Sequence, residues 1–312
     1  MSGFRFPDGV EFLGDGGDGN VNFSVSIPVD DDGFRGRECP ECEQHFRIAH
    51  EDYEALPDDL RLWCVYCGHD DDHSEFMTEQ QAERVMRAAG DYAQQLVGRM
   101  LDYPAPLPEI DEERLVRERR CVGCGLRYAV FGEHRFCPVC GSLPPLTVAL
   151  DVLEAETTRL DALGELPDDV LVTLRETGVV HRTYVDTIEN LVGIVEVLAD
   201  RVFGSQVLSA DTALKGGGNV FQRLDDLAGL FAEHLAIDVR SASGLDWSSL
   251  LQVWAARHVF THCDGIVDAK YLVAVPMSPH RVGQRLQITE ADTRAAIENT
   301  RALCEALVPA PE

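Results

Sequence analysis

The chain has 312 residues, 45% hydrophobic and 26% charged, a balance that supports two or three compact units with buried cores. Asp and Glu number 54 against 27 Lys and Arg, a formal net charge of -27. That field opposes non-specific binding to phosphate backbones, so any contact with RNA or DNA has to be local and built on arginine. Lys215 and Lys270 are the only lysines. No run approaches ~18 uninterrupted apolar residues, so no membrane-spanning helix is expected. The start, Met1 to Asp8, has neither the basic opening nor the apolar run of a secretory signal, and a cytoplasmic protein is expected.

Residues 1–38 form an acidic N-terminal segment. Alternating Val21, Phe23, Val25 and Ile27 predict one short hairpin in an otherwise flexible tail. Residues 39–75 hold the first cysteine set among many carboxylates. Over 76–110 the pattern turns helical: Thr78 reads as an N-cap, and Ala82, Val85, Met86, Ala89, Ala93, Leu96, Val97 and Met100 repeat at three and four up to Leu101. The stretch Tyr103-Pro104-Ala105-Pro106-Leu107-Pro108 then makes a stiff linker. Residues 111–145 hold the second cysteine set. Helical periodicity dominates 146–312, with breaks near Gly164, Gly204, Gly216–Gly218, Gly244 and Pro276–Pro279. It predicts five or six helices in an antiparallel bundle, the longest running from about Asp168 to Phe203 with room for a bend.

Eight of the ten cysteines fall in four Cys-x-x-Cys pairs, which in a reducing compartment indicates metal rather than disulfides. Cys39 and Cys42 are followed after 21 residues by Cys64 and Cys67. Cys121 and Cys124 are followed after 12 residues by Cys137 and Cys140. Each pair is a tight knuckle whose two thiolates reach one ion, and a following Gly supplies the left-handed turn. Two knuckles give four thiolates in tetrahedral geometry, a closed structural site. Both sets resemble zinc ribbons, which predicts two structural Zn2+ ions; Phe136-Cys137-Pro138-Val139-Cys140-Gly141 also resembles a rubredoxin knuckle, which makes iron the competing metal. His69 and His73 are expected to be exposed, and Cys263 and Cys304 to be small buried hydrophobes. Arg114, Arg117, Arg119, Arg120, Arg127 and Arg135 give the second set a basic flank against four glutamates over 112–135.

In the helical region, Trp247 to Cys263 reads as one helix carrying Arg257-His258-Val259-Phe260-Thr261-His262. At ~100° per residue His258 and His262 share a face, while Arg257 and His262 stand ~140° apart. Arg257 and His262 match the Arg-x4-His motif of HEPN domains. The following Cys263-Asp264-Gly265-Ile266-Val267-Asp268-Ala269-Lys270-Tyr271 resembles the continuation seen in many of them. Val220-Phe221-Gln222-Arg223-Leu224 is similar to the Phe-Gln-x-Leu element of a bacterial subgroup. The resemblance covers roughly 147–305. It implies a HEPN-like all-α bundle, a homodimer with the motifs facing each other, and metal-independent cleavage of an RNA substrate to a cyclic phosphate. Arg257 would hold the scissile phosphate, His262 would be the general acid/base, and His258, where the family more often has Asn or Asp, would orient or substitute.

The expected whole is two small zinc ribbons followed by an all-α bundle, in a ribonuclease of toxin or phage-defence type. The ribbons would read a trigger, a protein partner such as an antitoxin, or RNA. The alternative is a non-enzymatic adaptor that dimerises through a catalytically silent bundle, with Arg257 merely pairing Asp264 or Asp268.

Overall fold

The computed structural model describes residues 5–17, 20–57, 59–96, 106–112, 117–215 and 218–308. The chain divides into two compact units, Met1–Leu143 and Pro144–Glu312. The first is built from small antiparallel sheets and the second is mostly helical.

The first unit opens with a hairpin, β1 (Val10–Gly17) and β2 (Asn20–Val25), whose register slips twice. It is not a bare tail. Phe6 stacks on Phe12 and on Tyr92, and Phe23 lies 6.5 Å from the same Tyr92, so three aromatic rings anchor this segment to helix α2 (Glu79–Leu96). Thr78 caps α2 as its position predicts, its Oγ1 accepting from the Gln81 N–H at 3.2 Å. The expected continuation of that helix over 97–101, and Tyr103 to Ala105 of the linker, lie outside the described residues.

The two cysteine sets share one sheet. Strands β3 (Phe34–Glu38) and β4 (His45–Ala49) form the hairpin around Cys39 and Cys42, and β4 runs into helix α1 (His50–Glu54). Beyond it come β5 (Leu62–Trp63) and β6 (Asp70–Asp71), which flank Cys64 and Cys67. Strands β7 (Arg117–Arg120) and β8 (Arg127–Val130) flank Cys121 and Cys124, and β9 (Phe136–Cys137) and β10 (Gly141–Ser142) carry the fourth knuckle. The order β3-β4-β8-β7 joins both sets edge to edge through Arg47 opposite Ala129 and Ile48 opposite Tyr128.

This pairing is an approximate internal two-fold. Glu38 faces His45 in one hairpin as Arg120 faces Arg127 in the other, and Cys39 donates its N–H to Gln44 as Cys121 does to Leu126. The second knuckles repeat it: the Trp63 N–H donates to the Pro138 carbonyl and the Phe136 N–H to that of Val65. Trp63 and Phe136, each one residue before a cysteine, stack face to face at 6.3 Å. Each ring covers a glycine of the other set, Phe136 over Gly68 and Trp63 over Gly141. The nine extra residues in the first gap hold α1, which has no counterpart in the second.

The second unit comprises α3 (Pro145–Gly164), α4 (Asp168–Glu176), α5 (Val179–Gln206), α6 (Ala210–Ala213), α7 (Leu224–Leu235), α8 (Trp247–His262), α9 (Ala269–Ala274) and α10 (Glu290–Ala306). The expected bend in the long helical stretch is a full break, because Gly178 adopts φ +81° and ends one helix before α5 begins. Helix α5 is the hub: Ile188, Leu191, Val195, Leu198 and Phe203 are buried against α3, α8 and α10, with Leu153, Leu160, Val259 and Leu303 closing the core.

Candidate functional site

Each cysteine set converges on one point. The four ligand atoms of Cys39, Cys42, Cys64 and Cys67 lie within 4.8 Å of one another, as do those of Cys121, Cys124, Cys137 and Cys140. Across the first set Sγ–Sγ distances are 3.7 Å for Cys39–Cys67 and 3.7 Å for Cys42–Cys64. Across the second they are 3.8 Å for Cys121–Cys140 and 3.7 Å for Cys124–Cys137. Four thiolates about 2.3 Å from a tetrahedral ion stand about 3.8 Å apart, whereas a disulfide would bring two sulfurs to about 2 Å. All ten cysteines are free. The donor sets therefore fit two structural metal sites.

The knuckles are built from backbone. In the first three, the N–H four residues past the leading cysteine returns to its carbonyl: Glu43 to Cys39, Gly68 to Cys64 and Gly125 to Cys121. Gly68, Gly125 and Gly141 sit at φ +77°, +79° and +74°, the left-handed region the following glycine was expected to supply. The first knuckle departs from this, placing Glu43 at φ +57°. Burial pushes the thiols of Cys64 and Cys137 up, and those of Cys39 and Cys140 to about 11. At Cys67 and Cys121 hydrogen bonds to sulfur, those from the backbone N–H groups of His69 and Cys124 first, outweigh burial and hold the thiols below their usual range; metal loading would release the protons that the raised thiols keep.

His69 and His73 are half-buried rather than exposed. His73 Nδ1 lies 2.9 Å from the Tyr53 hydroxyl, and the His69 ring packs 6.0 Å from Phe76. The basic flank of the second set is largely engaged. Arg127 is tied to the first set's α1, with its N–H 2.7 Å and its Nε 3.1 Å from Asp52 Oδ2, and Arg117 donates to the Gly132 carbonyl. Arg114 lies outside the described residues.

In the helical unit, Asp246 caps α8 by accepting from the Ser249 N–H, and the helix stops at Cys263. Arg257 is half-buried, and among the described residues it has no hydrogen-bond or ion-pair partner; it pairs neither Asp264 nor Asp268. His258 makes that contact instead, its Nε2 3.6 Å from Asp268 Oδ2. His262 is exposed at the last turn of α8, its ring 5.2 Å from that of His258, which confirms the shared face of the two histidines. Next to it, Thr261 donates to Glu189 of α5 at 2.9 Å, and Phe260 packs edge-on against His181, whose imidazole is held below its usual range by burial and then by Arg285.

Cys304 is a buried hydrophobe as expected, its thiol pushed up to about 12 by burial. Cys263 is not: it is half-buried and its thiol donates to Asp268 Oδ2 at 3.8 Å. Burial, reinforced by that carboxylate, holds this thiol above its usual range. Asp268 was expected as a partner for Arg257; it meets His258 and Cys263 instead. The available signal was position: Cys263 ends one helix and Asp268 caps the next, so the short connection between them brings both side chains back to His258.

No family model, curated protein or solved structure matches the chain. Among the described residues no helix is long and apolar enough to cross a membrane.

Proposed function

We propose that the chain is a cytoplasmic, metal-independent endoribonuclease of the HEPN type, acting as a homodimer in a toxin or phage-defence role. Its two four-cysteine sets would hold structural Zn2+, and the ribbon unit would engage the trigger, an antitoxin-like partner or RNA. The observation that carries this reading is Arg257. In a chain with a net charge of -27, a half-buried guanidinium with no partner among the described residues is available for an external anion.

The division of labour follows from the side chains. Guanidinium binds phosphate oxygens in a bidentate fork and stabilises charge that develops in the transition state. The His262 imidazole, exposed at the end of α8, can take the proton of a ribose 2′-OH or return one to the leaving 5′-oxygen. His258, held by Asp268, is an orienting group. Because Arg257 and His262 point away from each other on one helix, a composite site draws on a second copy. The exposed apolar side chains of Val273 (81%), Met277 (92%) and Val282 (61%), just after the motif, are available to such an interface. Zn2+ suits the closed four-thiolate sets because it is redox-inert and tetrahedral; iron is the competitor, and elemental analysis separates them.

The test is RNA cleavage by the purified protein in a short assay with EDTA. Arg257→Ala and His262→Ala should each lose on the order of 10²–10⁴ in rate, and His258→Ala less. Arg257→Lys should stay impaired, since an ammonium lacks the fork. If both alanine variants cleave at the wild-type rate, the chain is a non-enzymatic zinc-ribbon adaptor, a reading that already finds His258 spent on Asp268.

A further inference from the structure

We propose that His258, Cys263 and Asp268 form a third metal site, distinct in chemistry from the four-cysteine sets, for a single borderline transition-metal ion such as Zn2+. Their ligand atoms all lie within 4.8 Å of one another. Two of the three edges are short: His258 Nε2 to Asp268 Oδ2 at 3.6 Å and Cys263 Sγ to the same oxygen at 3.8 Å. Donors bound at about 2.0–2.3 Å around a tetrahedral ion stand about 3.3–3.8 Å apart, so these edges already have coordination dimensions.

The backbone presets the arrangement. Helix α8 ends with the Cys263 N–H donating to Val259 at 3.0 Å, and Gly265 donates to the same carbonyl at 3.1 Å. Asp264 and Gly265 both adopt left-handed conformations, φ +50° and +75°, which turn the chain back on the helix. Val267 is then pinned, its N–H donating to Gln284 at 2.8 Å and its carbonyl accepting from Gly283 at 2.9 Å. Asp268 caps α9 with Oδ1, which accepts the Tyr271 N–H at 2.8 Å. That bond fixes the carboxylate and leaves Oδ2 facing the imidazole and the thiol, as an outer hydrogen bond orients a metal ligand.

The mixed donor set selects the ion. A thiol and an imidazole disfavour Ca2+ and Mg2+, which require oxygen cages, and favour Zn2+ or Co2+. Three protein ligands leave a fourth position to solvent beside His262, so the ion exchanges more readily than one enclosed by four thiolates. An ion seated here engages His258 and crowds His262. If the ribonuclease reading holds, it would act as an inhibitor; the metal site itself does not depend on that reading.

Native mass spectrometry of the full chain in Zn2+ at tens of micromolar, an order chosen to load sites of micromolar affinity, tests it. The wild type should take three ions per chain, and a mild chelator should remove one before the other two. Cys263→Ser should take two. Asp268→Asn, which keeps an oxygen for the α9 cap, should also take two with helicity unchanged by circular dichroism. A wild type that saturates at two ions, or an Asp268→Asn protein that still takes three, would overturn the proposal.

Discussion

The two units of this chain reach order by different means. In the helical unit, α5 buries Ile188, Leu191, Val195, Leu198 and Phe203 within a continuous apolar core, so the hydrophobic effect suffices to hold it. In the cysteine unit, β5, β6, β9 and β10 are two residues long, and strands that short are not stable by themselves. Around them stand a small apolar core of Phe46, Ile48, Leu62, Phe76 and Tyr128 and two four-cysteine donor sets whose dimensions suit a metal ion. One unit is held by what it excludes from water; in the other, two donor sets that fit metal ions add to a smaller core.

Metal removal should therefore separate the two most sharply. Structural zinc contributes about 10–16 kcal/mol of apparent free energy in small modules at neutral pH. Stripping both ions should collapse the dispersed amide signals of residues 34–143 in an NMR spectrum, while the far-ultraviolet helical signal of the second unit persists. Retention of the ribbon signals after complete removal would show that the sheet, not the ions, holds the unit.

Within the cysteine unit a narrower comparison tests the internal two-fold. Gly68 and Gly125 share a left-handed backbone, but a Cβ on Gly68 would fall 2.4 Å from the Phe136 ring, whereas one on Gly125 meets nothing within 4 Å. Gly125→Ala should cost about 1 kcal/mol from backbone strain alone. Gly68→Ala should cost about 2–4 kcal/mol, because it also displaces a ring stacked on Trp63. Equal losses in thermal denaturation of the metal-loaded protein would mean that the stack across the two sets contributes nothing.

These particulars show what the sequence carried. Both cysteine sets, the Thr78 cap and the shared face of His258 and His262 were legible because each rests on local spacing. The joint sheet was not. Arg47 opposite Ala129 is a contact between segments more than eighty residues apart, and neither strand states its partner. Nor could α1 be foreseen as a clamp on the second set: its role rests on Arg127 meeting Asp52, 75 residues away. Asp268 was assigned to the wrong partner, Arg257 in place of His258 and Cys263, for a milder reason: a turn with two left-handed residues, Asp264 and Gly265, decides where its side chain goes.

The Asp52–Arg127 contact gives the next smaller effect. Arg127, chiefly through its side-chain hydrogen bond and outweighing burial, holds the Asp52 carboxyl below its usual range. A lowered folded-state value means that the contribution is fully present above the unfolded value of about 3.9 and is lost as pH falls through the folded one. Asp52→Asn keeps an acceptor for the Arg127 N–H and loses the charge, so it should cost about 1 kcal/mol near neutrality. The gap between wild type and variant should close on acidification, a trend to be measured at constant metal loading. A gap independent of pH would assign the effect to shape rather than charge.

The smallest effect concerns the one knuckle that breaks the pattern. Glu43 occupies in the first set the place that Gly125 holds in the second: both N–H groups return to the leading cysteine's carbonyl, and both backbones are left-handed, at φ +57° and +79°. For a residue with a Cβ that conformation costs about 1–2 kcal/mol, while glycine is at home there. Glycine in turn has more freedom to lose from the unfolded chain, about 0.5–1 kcal/mol. The Glu43 side chain is exposed and makes no hydrogen bond or ion pair among the described residues to offset the strain. Glu43→Gly should therefore stabilise the metal-loaded first set slightly, by about 0.5 kcal/mol, read as slower release of its ion to a chelator. The converse, Gly125→Glu, should speed release from the second set. If Glu43→Gly instead weakens retention, the carboxylate has a role at the rim of the first site that the symmetry between the two sets conceals.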